Sequence, residues 1–165
     1  MAKSQKRRDV PEGATVVATN RVAHRDYEIL DTLEVGMVLR GSEVKSLRES
    51  KVQLGESYAI FYRNEFWLVG LRVAQYSHSG SAFAHDPDRR RKLLAHRDQI
   101  QRWSSRAARD HLAIIPLALY FVSGRAKIKL ALARGKSKVD RRQDIAKRDS
   151  LRETQRAVAR SRRQQ

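Results

Sequence analysis

The stretch LAIIPLALYFVSGRAKIKLALAR, residues 112–134, decides the fold. Residues 112–122 and 125–134 are strand-forming runs that meet across Ser123-Gly124, a two-residue turn signal, so the stretch predicts a β-hairpin. In the second run Ile128, Leu130 and Leu132 point one way and Lys127 and Lys129 the other. Pro116 has no backbone donor and belongs at an edge or a bulge.

Working outward, Asp86-Pro87 reads as a helix start. The aspartate offers an oxygen to unpaired amides, and the proline ring suits the first turn. Leu93, Ile100, Trp103 and Ala107 follow at helical spacing, so the region to about Asp110 is expected to be helical, with a break near His96 to Asp98. HSGSAF, 78–83, is expected to be loop. SYAIFYR (57–63) and FWLVGLRV (66–73) predict a second hairpin turning at Asn64-Glu65. In GSEVKSLRES (41–50), Gly41 or Ser42 caps a short helix whose stripe is Val44 and Leu47. Asp26 to Leu39 reads as one long strand, bent or bulged at Gly36.

Residues 1–19 are expected to be a disordered basic segment, residues 20–134 the folded domain, and residues 135–165 a basic C-terminal tail. Strands at both ends of the folded region, with helices between them, predict an α+β domain. It is mainly β, a small antiparallel barrel with two or three flanking helices.

Charge narrows the function. The 165-residue chain has 35 Lys and Arg against 18 Asp and Glu, a formal +17. Its three segments carry net charges of +2, +8 and +7, so the tail holds nearly half the excess. Solubility needs far less, and a polyanion is the expected partner, nucleic acid before membrane. There is no cysteine, which excludes disulfides, thiolate metal sites and a cysteine nucleophile. No secretory h-region or membrane-length apolar run occurs, so a cytoplasmic protein is expected.

The basic cluster Arg89, Arg90, Arg91 and Lys92 falls, on this reading, in the first turn of the helix that begins at Pro87. Cations oppose the helix dipole there, so phosphate contact explains the placement better than stability does. Lys127 and Lys129 form a second basic stripe. Tyr27, Tyr58, Phe61, Trp67, Trp103 and Phe121 are expected in the core rather than as base platforms. The HRD triplets at 24–26 and 96–98 lack the asparagine of kinase catalytic loops, and no Walker, G-x-S-x-G or HExxH motif occurs. Five scattered histidines give no metal spacing, and His85 reads as a local partner for the helix end. No catalytic residue, metal site or cofactor is expected.

In the tail, Asp144 precedes Lys147 and Arg148, Asp149 precedes Arg152, and Glu153 precedes Arg156 at helix-supporting spacings. Val139, Ile145, Leu151 and Val158 make no core-facing stripe. The tail is expected to be disordered when free and helical against a polyanion.

The ordered strings GSEVKSLR (41–48), Ser57-Tyr58, HDPDRRRKLL (85–94), PLALYF (116–121), KIKLALARGK (127–136) and DRRQDIAKRD (140–149) resemble the small protein B family of bacterial trans-translation. The resemblance runs over about residues 19–150 and implies an oligonucleotide-binding-type (OB-type) barrel. It implies a non-enzymatic adaptor that binds the tRNA-like domain of tmRNA, the SsrA RNA, with Glu34, Leu94 and Lys127 as binding residues. It further implies escort of alanyl-tmRNA with elongation factor Tu to stalled ribosomes. The tail would enter the empty mRNA channel beside small-subunit rRNA and become helical near the decoding centre. The decoding-centre residues would be Gly135, Lys136, Asp140, Arg141 and Arg142, with Lys147 and Arg148 beyond them. For Glu34 two roles stand open, accepting hydrogen bonds from RNA or orienting a neighbouring cation. The alternative is a structural or assembly RNA-binding protein of the ribosome.

The chain departs from the family pattern at Asp140-Arg141-Arg142, where Asp-Lys-Arg is usual, and at NRVAHRDY (20–27). It also departs at Trp103-Ser104-Ser105, where Leu-x-Gly is more usual, and at Ser150, where some members carry tryptophan.

Overall fold

The computed structural model describes residues 9–76 and 85–161, apart from the side chains of Lys138, Arg148 and residues 157–161. In chain order the elements begin with β1 Thr15–Thr19, α1 Ala23–Asp26, β2 Tyr27–Met37 and α2 Gly41–Arg48. β3 Val52–Gln53, β4 Tyr58–Tyr62, β5 Glu65–Val69 and β6 Arg72–Val73 follow. The chain continues with β7 Arg91–Leu94, α3 Arg97–Arg109, β8 Ala113–Val122, β9 Arg125–Gly135 and α4 Lys138–Ser161.

Seven strands form an antiparallel sheet in the order β1-β8-β4-β5-β7-β2-β9, and β9 also pairs with β8. Strands β8, β4, β5, β7, β2 and β9 therefore curl into a ring, with β1 added outside on β8. The expected α+β, mainly-β barrel is present, but it closes unevenly. β2 and β9 pair from Tyr27–Gly135 to Gly36–Lys127, whereas β4 meets β8 at the single pair Ala59–Ile114 among the described residues. Trp103 of α3 closes the core against side chains that include Phe66, Leu68, Leu93, Leu119, Ile128 and Leu130.

The 112–134 hairpin turns at Ser123 and Gly124, both at positive φ, as a tight two-residue turn matching strand twist requires. Pro116 sits at a register shift, so the bulge accommodates it. Asn20 bonds two carbonyls at that bulge, its amide donating to Leu117 O at 2.8 Å and its Nδ2 to Pro116 O at 3.1 Å.

Elsewhere the chain departs from expectation. The second hairpin turns at Arg63 and Asn64 (φ 50° and 62°), one residue earlier than expected, with Tyr62 opposite Glu65. Its second strand ends at Gly70, where φ is 76° and an added Cβ would lie 3.0 Å from Glu56 O. The bulge of β2 lies between Ile29 and Asp31, not at Gly36. Gly36 instead pairs with Leu94 of β7, where an added Cβ would lie 3.4 Å from Leu94 Cβ, a close van der Waals contact. The N-cap of α2 is Arg40, whose amide donates to Glu43 Oε2 at 2.7 Å, rather than Gly41 or Ser42.

The largest correction concerns residues 87–96. They form a turn and strand β7, and the helix begins only at Arg97. Asp86 Oδ1 accepts from the Asp88 amide at 3.0 Å, so it shapes a turn instead of capping a helix. Arg91 and Leu93 then point inward and Lys92 and Leu94 outward, the two-residue period of a strand. The helix-dipole argument for Arg89 to Lys92 therefore falls. His85 is buried and has no helix at Pro87 to serve; it contacts Ser42 Oγ in the first turn of α2 at 3.0 Å and Val73 O at 3.1 Å. Of the aromatic residues expected in the core, Tyr58 is instead exposed.

Residues 15–19 of the segment expected to be disordered form β1, paired to β8; residues 1–8 and the expected loop 78–83 lie outside the described residues. In the tail, residues 138–161 form the helix α4. Its N-terminus is capped by Ser137 Oγ, which accepts from the Asp140 amide at 3.1 Å, while Asp140 Oδ2 accepts from the Ser137 amide at 3.1 Å.

Candidate nucleic-acid interface

Strand pairing brings the residues of the first candidate site together. Across β2–β9 Gly36 faces Lys127 and Glu34 faces Lys129, and across β8–β9 Tyr120 faces Lys127. Residues directly opposite share a face, so Glu34, Lys127, Lys129 and Tyr120 lie on one side of the sheet. Lys127 Nζ donates to Glu34 Oε1 at 2.5 Å, and Tyr120 OH donates to Glu34 Oε2 at 2.6 Å. The Lys127 and Tyr120 hydrogen bonds hold the Glu34 carboxyl below its usual range despite partial burial. Burial, and then Glu34, push the Tyr120 phenol well above its ordinary value.

Both carboxylate oxygens of Glu34 are thus engaged within the protein. Of its two open roles, the geometry favours orienting Lys127. Leu94 reaches the same place from β7 across Gly36 and is 52 % exposed, so it is surface and not core. Glu34, Leu94 and Lys127 line one cleft of about 410 Å³, whose far wall is the start of α3.

The basic cluster divides into separate roles. Arg91 is fully buried: Nε donates to Glu43 Oε1 at 3.0 Å, and its other nitrogens bond the carbonyls of Leu71, Arg89 and Pro87. Its assignment as an RNA contact is corrected, because the guanidinium has no solvent-facing donor. Arg89 donates to the same carboxylate and to Val38 O. Burial works to raise the Glu43 carboxyl, but Arg89, the Arg40 amide and Arg91 together hold it below its ordinary range. Arg90 and Lys92 turn outward, Arg90 exposed and Lys92 paired with Glu65. Glu43 therefore joins the GSEVKSLR and DPDRRRKLL strings as a buried hub.

At the tail root, the Lys136 amide donates to Asp26 O at 2.9 Å and its ammonium bonds His24 O and Asp144. Arg141 lies 3.9 Å from Asp26. The Asp26 carboxyl is held below its ordinary value chiefly by Arg25, with Arg141 and Lys136 adding to the effect. Gly135 closes the β2–β9 ladder opposite Tyr27. Asp140 caps α4, and its carboxyl is lowered by the Ser137 hydroxyl and amide. Arg142 and Lys147 are exposed on α4, and the side chain of Arg148 lies outside the described residues.

Sequence reading missed Tyr120, Glu43 and Asp26. Tyr120 was within reach: counting back from a Ser123-Gly124 turn places 122 opposite 125 and therefore 120 opposite 127. Glu43 and Asp26 carry no such signal, since the partners that make them junctions, Arg89 and Arg91 for Glu43 and Lys136 and Arg141 for Asp26, are distant in the chain. Among the described residues no cluster of ligating side chains could hold a metal ion, and no helix is long and apolar enough to cross a membrane.

A basic OB-type barrel with a cleft that presents Lys127 beside exposed Leu94, and a charged helical extension, defines a nucleic-acid-binding class of protein. The chain belongs to the SmpB protein family, whose sequence pattern matches residues 17–160. It is 48% identical over 145 residues to an SsrA-binding protein of Mycolicibacterium paratuberculosis, covering 88% of this chain and 85% of that one. It is 45% identical over 157 residues to an SsrA-binding protein of Corynebacterium glutamicum, covering 95% of both. A solved structure described as "tmRNA-SmpB: a journey to the center of the bacterial ribosome" is 44% identical. It superposes with a TM-score of 0.61, covering 73% of this chain and 85% of that chain.

Proposed function

We propose that the chain binds the tRNA-like domain of tmRNA through the cleft of Glu34, Leu94 and Lys127 and delivers it to stalled ribosomes. The observation that carries this reading is the convergence of those three residues from three strands on one cleft. Glu34 orients Lys127 toward phosphate or sugar, and exposed Leu94 supplies apolar contact with the RNA. Kinship with SsrA-binding proteins, and likeness to a structure of SmpB with tmRNA and the ribosome, support the reading.

In this reading α4 is the ribosomal element. Its exposed Arg142 and Lys147 meet small-subunit rRNA in the vacant mRNA channel, and Lys136, Asp140 and Arg141 set the start of the helix. Elongation factor Tu carries the aminoacylated RNA in the same complex. The adaptor performs no chemistry of its own.

The test separates the two parts. The chain ended after Arg134 is expected to bind tRNA-like-domain RNA as the full chain does, yet to support no peptide tagging on stalled ribosomes. Loss of RNA binding on that truncation would overturn the division between cleft and tail.

A further inference from the structure

A second, larger concavity of about 880 Å³ opens between the β4–β5 turn, strand β7 and the start of α3. It shares Leu94 and Ala95 with the Glu34–Lys127 cleft, so the two concavities adjoin at Leu94. Three cations line it, Arg63, Lys92 and Arg97, against the one carboxylate of Glu65, which Lys92 already engages. Arg63 and Arg97 are exposed, and among the described residues neither forms an ion pair. The apolar lining includes Phe61, whose ring stacks on Phe66 with centroids 4.4 Å apart.

Among the described residues no ion pair accounts for Arg63 or Arg97. Two-residue hairpin turns with positive φ favour Asn, Asp or Gly, yet Arg63 occupies that position at φ 50°. Its guanidinium lies 5.2 Å from the neighbouring Tyr62 ring, and among the described residues Arg97 has no partner that would anchor α3. An aromatic wall beside unneutralised guanidinium groups suits an unstacked nucleotide and its flanking phosphates.

We propose that the RNA-binding surface continues past Leu94 into this groove. There Arg63 and Arg97 hold backbone phosphates of the RNA that occupies the first cleft, and Phe61 receives an unpaired base. The proposal rests on the RNA-binding reading above. The shared Leu94–Ala95 wall and the sign of the charge select the same RNA as occupant.

The test titrates synthetic tRNA-like-domain RNA against the full chain over a range of NaCl concentrations. The Arg63→Ser/Arg97→Ser double variant alters exposed side chains only, and its urea midpoint is expected to match the wild type. Its log–log salt slope is expected to be shallower by about 1.4–1.8, at about 0.7–0.9 for each phosphate no longer neutralised, with weaker binding at low salt. Wild-type slope and affinity in the double variant, alongside weakened binding by Lys127→Ala, would overturn the groove and leave the cleft standing. Failure of the wild-type chain to bind this RNA at all would overturn both. With 4-thiouridine in the RNA, a crosslink to the peptide holding Phe61 is expected; crosslinks that avoid it would remove the base from the groove.

Discussion

Glu43 and Arg91 face each other with neither side chain exposed, Arg91 Nε donating to Glu43 Oε1 at 3.0 Å. The pair ties α2 to β7, and β7 carries Leu94 into the cleft. Glu43→Ala leaves a buried guanidinium without its counter-charge, which costs about 3–5 kcal/mol. Urea unfolding measures it, and a loss below about 1 kcal/mol would show that the pair does not hold these elements together.

Acidification reports on the same carboxylate. Glu43 is held below its ordinary range when folded, while the unfolded value is about 4.3. The stability it contributes is therefore complete above that value and is lost as pH falls through the lower folded one. Glu43→Gln is expected to show a flatter decline below about pH 4.3. Glu34 has the same sign and remains, so the flattening is partial. Unchanged curvature in the variant would rule out the assigned coupling.

The Glu34–Lys127 contact makes a prediction about order. If Glu34 acts by orienting Lys127, Glu34→Gln keeps an acceptor in place and retains more RNA affinity than Glu34→Ala. Glu34→Ala and Lys127→Ala should then be non-additive in a double-mutant cycle. Additive losses, measured by filter binding, would make Glu34 an independent RNA contact.

Gly70 should resist replacement. A side chain there meets both a positive φ and a carbonyl at 3.0 Å. Gly70→Ala is expected to lose at least the ~1–2 kcal/mol of left-handed backbone strain, read from the denaturation midpoint. Gly124, equally positive in φ but with nothing within 4 Å, should lose less on the same change.

Ser137→Ala removes one cap of α4, and losing a cap costs about 0.5–2 kcal/mol. Circular dichroism of the full chain should then show reduced helical signal, while tRNA-like-domain RNA still binds. An unchanged spectrum would mean that the Lys136–Asp144 and Arg141–Asp26 pairs alone hold the helix.

The 112–134 hairpin was legible because turn, alternation and β-branching agreed over more than twenty residues. β7 was not. It is four residues long, and the spacing from Leu93 to Ile100 and Trp103 imitates a helix. Arg91 misled for a related reason, since a cation in a basic run looks solvated until Glu43 and Leu71, distant in the chain, enclose it together with the nearby carbonyls of Arg89 and Pro87. The cleft residues Glu34, Leu94 and Lys127 came from family resemblance; composition reached no further than a basic barrel. Their convergence depends on Gly36 of β2 pairing with Leu94 on one side and Lys127 on the other, a relation between strands that local patterns do not carry. The tail's charge order supports a helix, while its few apolar residues point to disorder in the free chain. Its root contacts with Asp26 and His24 were hidden because those partners lie more than a hundred residues earlier.

Those root contacts give α4 a fixed origin. At 1.5 Å per residue, a helix of 24 residues reaches about 36 Å from where it starts. A rod clamped at one end behaves as a caliper: the separation between a ligand seated on the barrel and whatever meets the far tip is set by residue count. Inserting or deleting one turn, well away from either contact surface, would change that gauge length without altering either grip.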